Sequence, residues 1–454
     1  MRQASKLNGL PGARYVCESR TIPGHLDVER VIPELIDALT RPLTAAEKKK
    51  GRWEEDDPRI LFEGTLEEAE EFYMQDEVIP TLQYATHARY TDGLPIVVPT
   101  EERVAEMLKG TSHKPDELIA YQEDHPVGDR VFQMGSSGKQ GDPVRYMPMR
   151  RTATVEKVAT IAVMAGCKPE YLPAVLAIAE SGGGTGDGRG GSGFCLSGPY
   201  AREIGMNFDV NLLGPGNRAN KSIGRAAALM FRNLGGQIPS VNNCGVMGGP
   251  TSNCFPENAE ALPPGWEGLN QECGFDKNES VIVRMGATGG HSGEWMPGQY
   301  REFQKSGHSG IARRLGVKGV PGPHNILDYI RSFWVDGEGG FTFFMLPEIA
   351  NHLWEYGFKS KKAVYEYMYK RSFIPLKDFR THARPDIFFG SSTVGWRGIE
   401  PSSGKPWAEL PEDFLVPACP NPMANCIIVM GAGEEQLPYS GGSSRDAYSI
   451  DNWR

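Results

Sequence analysis

The sequence predicts a mixed α/β protein of two lobes, each a small sheet flanked by helices. Three observations carry this expectation. Short apolar runs of strand length recur at 281–285 (VIVRM), 340–346 (GFTFFML) and 426–430 (CIIVM), bounded by glycines or polar turns. Between them lie stretches whose apolar residues fall three and four apart, the spacing of one helix face. The chain of 454 residues, 39% hydrophobic, can bury a large core and form more than one lobe. Alternating strands and helices pack as layered α/β structure. The organisation expected is an N-terminal arm with helical and strand segments (1–150), a central α/β lobe (151–285) and a C-terminal α/β lobe (286–454).

From the amino end, residues 1–24 read as a surface arm and 27–39 (DVERVIPELIDAL) as a short helix. The run 48–57 (KKKGRWEEDD) is a solvated, charge-dense loop. Thr65 with Glu68 three residues later makes a capping box, and the helix it opens continues through Ala69, Phe72 and Tyr73 toward Ile79. Asp92-Gly93 is a turn, 94–98 a short buried strand, and Thr100 the cap of a helix ending near Gly110. Proline and glycine punctuate 111–151, so the lobe boundary is placed within 112–150.

Residues 152–236 are the most strongly patterned part of the chain. Val155, Val158, Ala159, Ala162 and Val163 line one helix face, with Thr154 as cap. Cys167-Lys168-Pro169 ends that helix, and Pro169 with Glu170 opens the next through Leu172, Val175, Leu176 and Ala179. Cys167 therefore sits at a helix corner, either as a small buried hydrophobe or as a thiol activated by a helix N-terminus. Further on, Gly214, Gly216 and Asn217 lead into a helix whose first turn carries Arg218, Asn220 and Lys221. Cations disfavour a helix N-terminus, and a bound carboxylate or phosphate would reverse that penalty. The motif matches neither GxxxxGK[ST] nor GxGxxG, so no nucleotide is indicated.

Three blocks, TDGLPIVVPTEERVAEMLKGT, ATVEKVATIAVMAGCKPEYLPAVLA and LGPGNRANKSIGRA, occur in this order. Together they resemble a bacterial family whose members are often encoded beside small thiol or selenocysteine proteins bearing a UGSC motif. The likeness covers roughly 75–265, and Cys254-Phe255-Pro256-Glu257-Asn258 resembles its CFxEN block. It implies a metabolic enzyme or enzyme subunit. The Gly-rich run 182–193 and the histidine-bearing 286–325 depart from the family pattern, so the resemblance fixes no substrate.

Cys254 and Glu257 lie close together at a loop-to-helix entry, where a thiol and a carboxylate can act as nucleophile and base. Glycine-flanked His291, His308 and His324 follow, with Glu294 nearby. Imidazoles in such loops can serve as acid, base or ligand, and with Glu294 they would also hold a divalent transition metal. No cofactor is specifically indicated. Eight cysteines without close pairs fit a reducing, cytoplasmic setting. A net charge of −9 argues against nucleic acid, no apolar run approaches a membrane span, and the first residues lack a signal-peptide core.

The expectation is a cytoplasmic, oligomeric enzyme acting on a small carboxylate-bearing metabolite by acid/base addition–elimination, lyase- or hydratase-like. Cys254, Glu257, His291 and Cys167 are the catalytic candidates, and 214–221 the anion-binding loop. The alternatives are a metal-dependent hydrolase or hydratase using the three histidines, and a subunit that works with a thiol or selenoprotein partner.

Overall fold

The computed structural model describes residues 12–14, 28–49, 58–78, 86–125, 138–183, 193–238, 253–285, 315–316, 341–378, 400, 403–406, 409–416, 421–431, 439–441 and 445–454. In chain order these carry α1 (Val28–Thr40), α2 (Ala45–Lys48), α3 (Leu66–Tyr73), β1 (Asp76–Val78), β2 (Thr86–Ala88), α4 (Glu101–Met107), α5 (Val155–Met164) and α6 (Leu172–Glu180). Then come β3 (Gly193–Ser197), α7 (Tyr200–Glu203), α8 (Arg218–Asn233), β4 (Asn253–Pro256), α9 (Leu269–Glu272) and β5 (Val281–Met285). The rest is β6 (Phe341–Met345), α10 (Pro347–Tyr356), α11 (Lys361–Arg371), β7 (Ile374–Pro375), β8 (Leu415–Val416), β9 (Cys426–Val429), β10 (Tyr439–Gly441) and β11 (Ala447–Ser449). The fold is mixed α/β.

Two sheets organise it. The first has the order β11-β5-β3-β4, the second β10-β6-β9. Each contains a parallel pair, β3 with β4 and β6 with β9, and an antiparallel neighbour, β5 on β3 and β10 on β6. Side chains alternate across a strand, and the strands use both faces. Phe194, Leu196, Cys254 and Ile282 face a helical layer containing Val158, Ile178, Ile223 and Met230. On the opposite faces, Cys195, Phe255 and Val283 of the first sheet share one core with Phe344, Cys426 and Ile428 of the second. Phe343, Met345, Ile427 and Val429 then pack on Ile349, Leu353, Val364 and Met368 of α10 and α11. The order is therefore helices, sheet, sheet, helices. Strands buried on both faces explain why they read as continuous apolar runs.

The caps lie where the sequence puts them. Thr65 and Glu68 form the capping box of α3, and Thr100, Thr154 and Asn217 accept from the first turns of α4, α5 and α8. Gly236, at φ 66°, follows α8. Two expectations fail locally. The helix opened by Thr65 stops at Tyr73, and the chain pairs as β1 from Asp76. Residues 94–98 form no strand: Leu94 and Val97 are exposed and only Val98 is buried. Their hydrophobicity serves contact with the end of α5, where Val97 N–H donates to Met164 O at 3.2 Å. In addition, β11, from the last residues, joins the first sheet beside β5, so the boundary placed at 285 is crossed by the C-terminal segment.

Among the described residues, no single helix is long and apolar enough to cross a membrane. The apolar pair α5 and α6 is bent by 119° and buried in the core.

Candidate functional site

Cys254 and Glu257 are three residues apart, and strand alternation sends them to opposite faces of the first sheet. Cys254 points into the helical layer, where Cys167 is an electrostatic neighbour. Burial pushes the Cys254 thiol well up, and pushes Cys167 up to about 12 against the opposing effects of Ser222 and Arg218. The structure thus brings Cys167, Cys254 and Arg218 into one neighbourhood and holds both sulfurs as neutral thiols. A neutral buried thiol is a poor nucleophile.

Glu257 belongs to the layer between the sheets. Its Oε2 accepts from Ser197 Oγ and from Leu269 N–H, both at 2.7 Å, and its Oε1 accepts from Lys361 Nζ at 3.1 Å. Lys361 also reaches Glu272 Oε2 at 3.5 Å, and Tyr365 OH donates to Glu272 Oε1 at 3.1 Å. Burial disfavours the ammonium, but Glu257 and Glu272 together hold its pKa above the usual lysine range. The Tyr365 hydroxyl in turn accepts from Ile427 N–H at 2.9 Å. This network bolts α11 and β9 to β3, β4 and α9. Its geometry is that of a buried ion pair that ties the two sheets together.

The loop expected to hold an anion closes on itself. Asn217 caps α8 by accepting from Asn220 N–H at 3.1 Å and donates through Nδ2 to Gly205 O. Asn220 is buried and donates to Asn207 O and Leu212 O. Arg218 Nε donates to Gly166 O at 2.9 Å, and Lys221 Nζ to Leu213 O at 3.3 Å. Gly216 takes φ 134°, with open space where a Cβ would stand, and Gly214 is pressed against the Asn211 amide. These cations thus answer carbonyl oxygens of neighbouring turns. His291, Glu294, His308 and His324 lie outside the described residues. Among the described residues, no group of three or more His, Cys, Asp or Glu is arranged to hold a metal ion.

A different cluster of buried and paired ionisable groups was not singled out from the sequence. Glu180 ends α6, a helix buried along its whole length, directly before the glycine run. Its Oε1 accepts from Gln122 N–H at 2.8 Å and its Oε2 from Trp453 Nε1–H at 2.6 Å. Burial raises its pKa to about 7; the two hydrogen bonds oppose this, while the nearby charges of Glu123 and Asp446 add to it. Close by, His125 Nδ1 lies 3.4 Å from Asp446 Oδ1. The His125 ring stacks on Tyr448 at 4.2 Å, and the Tyr448 hydroxyl donates to Asp446 Oδ2 at 3.0 Å. Arg284 on β5 faces the same side and donates through Nη1 to Ser181 O at 2.9 Å. The Tyr146 hydroxyl, buried and electrostatically coupled to Glu180, has no hydrogen-bond partner among the described residues.

The sheet explains this gathering. Gly193 opens β3 opposite Asn253 at the start of β4 and Met285 at the end of β5, so all three mark one sheet edge. Arg284 and Asp446 pair there through the backbone, Arg284 N–H donating to Asp446 O at 3.1 Å. One signal was available: a lone carboxylate after LPAVLAIA, in a helix with no polar face. His125 and Asp446 gave none, because only β11 pairing brings 446 beside 125. No protein-family model matches the chain, and neither a curated protein nor a solved structure does.

Proposed function

We propose that the chain is an enzyme that moves a proton on a small carboxylate-bearing metabolite, in the addition–elimination class, with Glu180 as general acid and base. The observation that carries this is a buried carboxyl titrating at about 7 beside the His125–Asp446 pair. A proton donor or acceptor works best when its pKa lies near the working pH, and strongly perturbed ionisable groups cluster at functional sites. Asp446 orients His125, which relays the proton toward solvent. Arg284 supplies positive charge at the same edge for the substrate carboxylate. Cys254, Cys167 and Glu257 have positioning and packing roles.

Deuterium wash-in tests this without a known product. The protein is incubated in heavy water with a panel of small hydroxy and keto acids, and proton NMR follows the hydrogens beside the carboxylate. Exchange should occur for at least one acid and fall at least 100-fold in Glu180→Gln, the lower range for loss of a general acid–base. Exchange undiminished in a folded Glu180→Gln protein, or none with any acid, would sink the reading.

A further inference from the structure

The turn at Asp451–Trp453 reaches Glu180 through one side chain and is anchored through a distant segment. Trp453 is fully buried and places its indole N–H on Glu180 Oε2. That bond opposes the effect of burial on the carboxyl, because an N–H donated to a carboxylate favours the ionised form. The turn is a single 3-10 turn of three residues, whose own hydrogen bonds hold a side chain only loosely. Its firmer hold comes from residues 111–113.

His113 is the centre of that hold. Its Nδ1 lies 2.8 Å from Glu117 Oε1 and its Nε2 lies 2.8 Å from Asn452 O. A carbonyl oxygen only accepts, and so does an ionised carboxylate. A neutral imidazole has one N–H and one lone pair, so it satisfies one of these oxygens and repels the other. Only the ring carrying two protons donates to both. It then sets a cation beside the Trp453 indole, with 4.6 Å between ring centroids. Thr111 adds a neutral anchor, its hydroxyl donating to Trp453 O at 2.7 Å and accepting from His113 N–H at 3.2 Å. The charges around the imidazole are Glu117, Lys114 and Asp116 on its own segment, and Asp451 and Arg454 on the turn side. Beyond them, Glu203 pairs with Arg454, and Glu123 accepts from the Asn452 amide at 2.8 Å.

We propose that His113 is a positioning residue for Glu180, fixing the turn so that the Trp453 indole keeps donating to the carboxylate. Its meaning for catalysis rests on Glu180 as the general acid and base proposed above, while the link between the two side chains does not. With the turn fixed, the ionised carboxylate is favoured. With the turn loosened, the carboxyl keeps its proton to higher pH. His113 and Thr111 thus set the pH at which Glu180 changes from acid to base.

Carbon-13 NMR on the full chain with labelled glutamate carboxyls reads the Glu180 midpoint, its signal assigned by loss in Glu180→Gln. Trp453→Phe keeps a ring and removes the donor, and should raise the midpoint by about one pH unit. His113→Leu and Thr111→Val, each shown folded by circular dichroism, should each raise it by about 0.3 pH units or more. Thr111→Val changes no charge, so its effect reports position alone, and it keeps the test available if Trp453→Phe is unstable. In the His113→Leu/Trp453→Phe double variant the His113 contribution should vanish. A midpoint unmoved by any one of the three folded single variants would overturn the proposal. So would a His113 effect that survives intact in the double variant, because the imidazole would then act through its charge alone. Deuterium wash-in is scored separately: its absence beside a moved midpoint removes the catalytic reading and leaves the link standing.

Discussion

Trp453 donates its indole N–H to Glu180 Oε2 at 2.6 Å, across 273 positions of sequence. The same indole ring lies 4.6 Å from the ring of His113, whose Nε2 sits 2.8 Å from Asn452 O. Thr111 Oγ1 donates to the Trp453 carbonyl at 2.7 Å. The residue that titrates in the neutral range is therefore held by the final turn of the described chain, and that turn is held by the 111–113 segment. Glu180 is thus a poised group with fixed surroundings.

The first expected outcome concerns pH. Glu180 has a folded-state pKa near 7 against an ordinary value of 4.5. Between these values the native state keeps a proton that the unfolded state has lost, so stability is greatest below 4.5 and falls as pH rises toward 7. Above 7 both states are ionised and the loss is complete. The whole effect is about 3 kcal/mol. Urea unfolding between pH 4.5 and 8 should show wild type losing this much relative to Glu180→Gln. Parallel curves for the two proteins would contradict it.

The second concerns the ion pair between the sheets. Lys361→Met strands Glu257 and Glu272 in a buried layer and should cost about 3–5 kcal/mol. Adding Glu257→Leu removes one of the stranded charges and should recover part of the loss. Equilibrium unfolding of the two single variants and the double gives the coupling. A coupling near zero would mean that Lys361 and Glu257 do not stabilise one another.

A third outcome concerns the thiols. Cys167, Cys195, Cys254 and Cys426 are buried and free, with their pKa values raised by burial. Native protein should react with an aromatic disulfide reagent at none of these four within the time that urea-unfolded protein reacts at all. Cys254→Ala should leave any deuterium wash-in intact and cost about 1 kcal/mol of stability or somewhat more. Fast labelling of Cys254 in the native state, shown by peptide mapping, would return it to the candidate nucleophiles.

Much of the architecture was legible from local chemistry. Thr65, Thr100, Thr154 and Asn217 each cap the helix that follows them, because the cap is a contact between near neighbours. The runs at 281, 341 and 426 became strands because their apolar residues are buried on both faces. What the sequence could not convey was the pairing of distant faces. Cys254 and Glu257 look adjacent in the chain, yet the pleat directs one to the helices and the other to Lys361. Arg218 and Lys221 looked like anion ligands because their carbonyl partners, Gly166 and Leu213, are recognisable only once turns have packed. Glu180 carried a readable sign, a charge with no polar face to occupy. His125 and Asp446 meet only through a strand pairing that joins the end of the chain to its middle.

That pairing also has a consequence for biosynthesis. β11 is an edge strand of the first sheet, and its partner β5 ends 162 positions earlier, at Met285. During translation the edge of β5 waits unpaired while residues 286–446 are made, which at bacterial or eukaryotic elongation rates takes on the order of 10 seconds. An open strand edge is a template for wrong partners. The waiting interval is the vulnerable stage of the chain's production, and slower initiation, which leaves fewer such unfinished chains together at once, should raise soluble yield more than any change in the finished core.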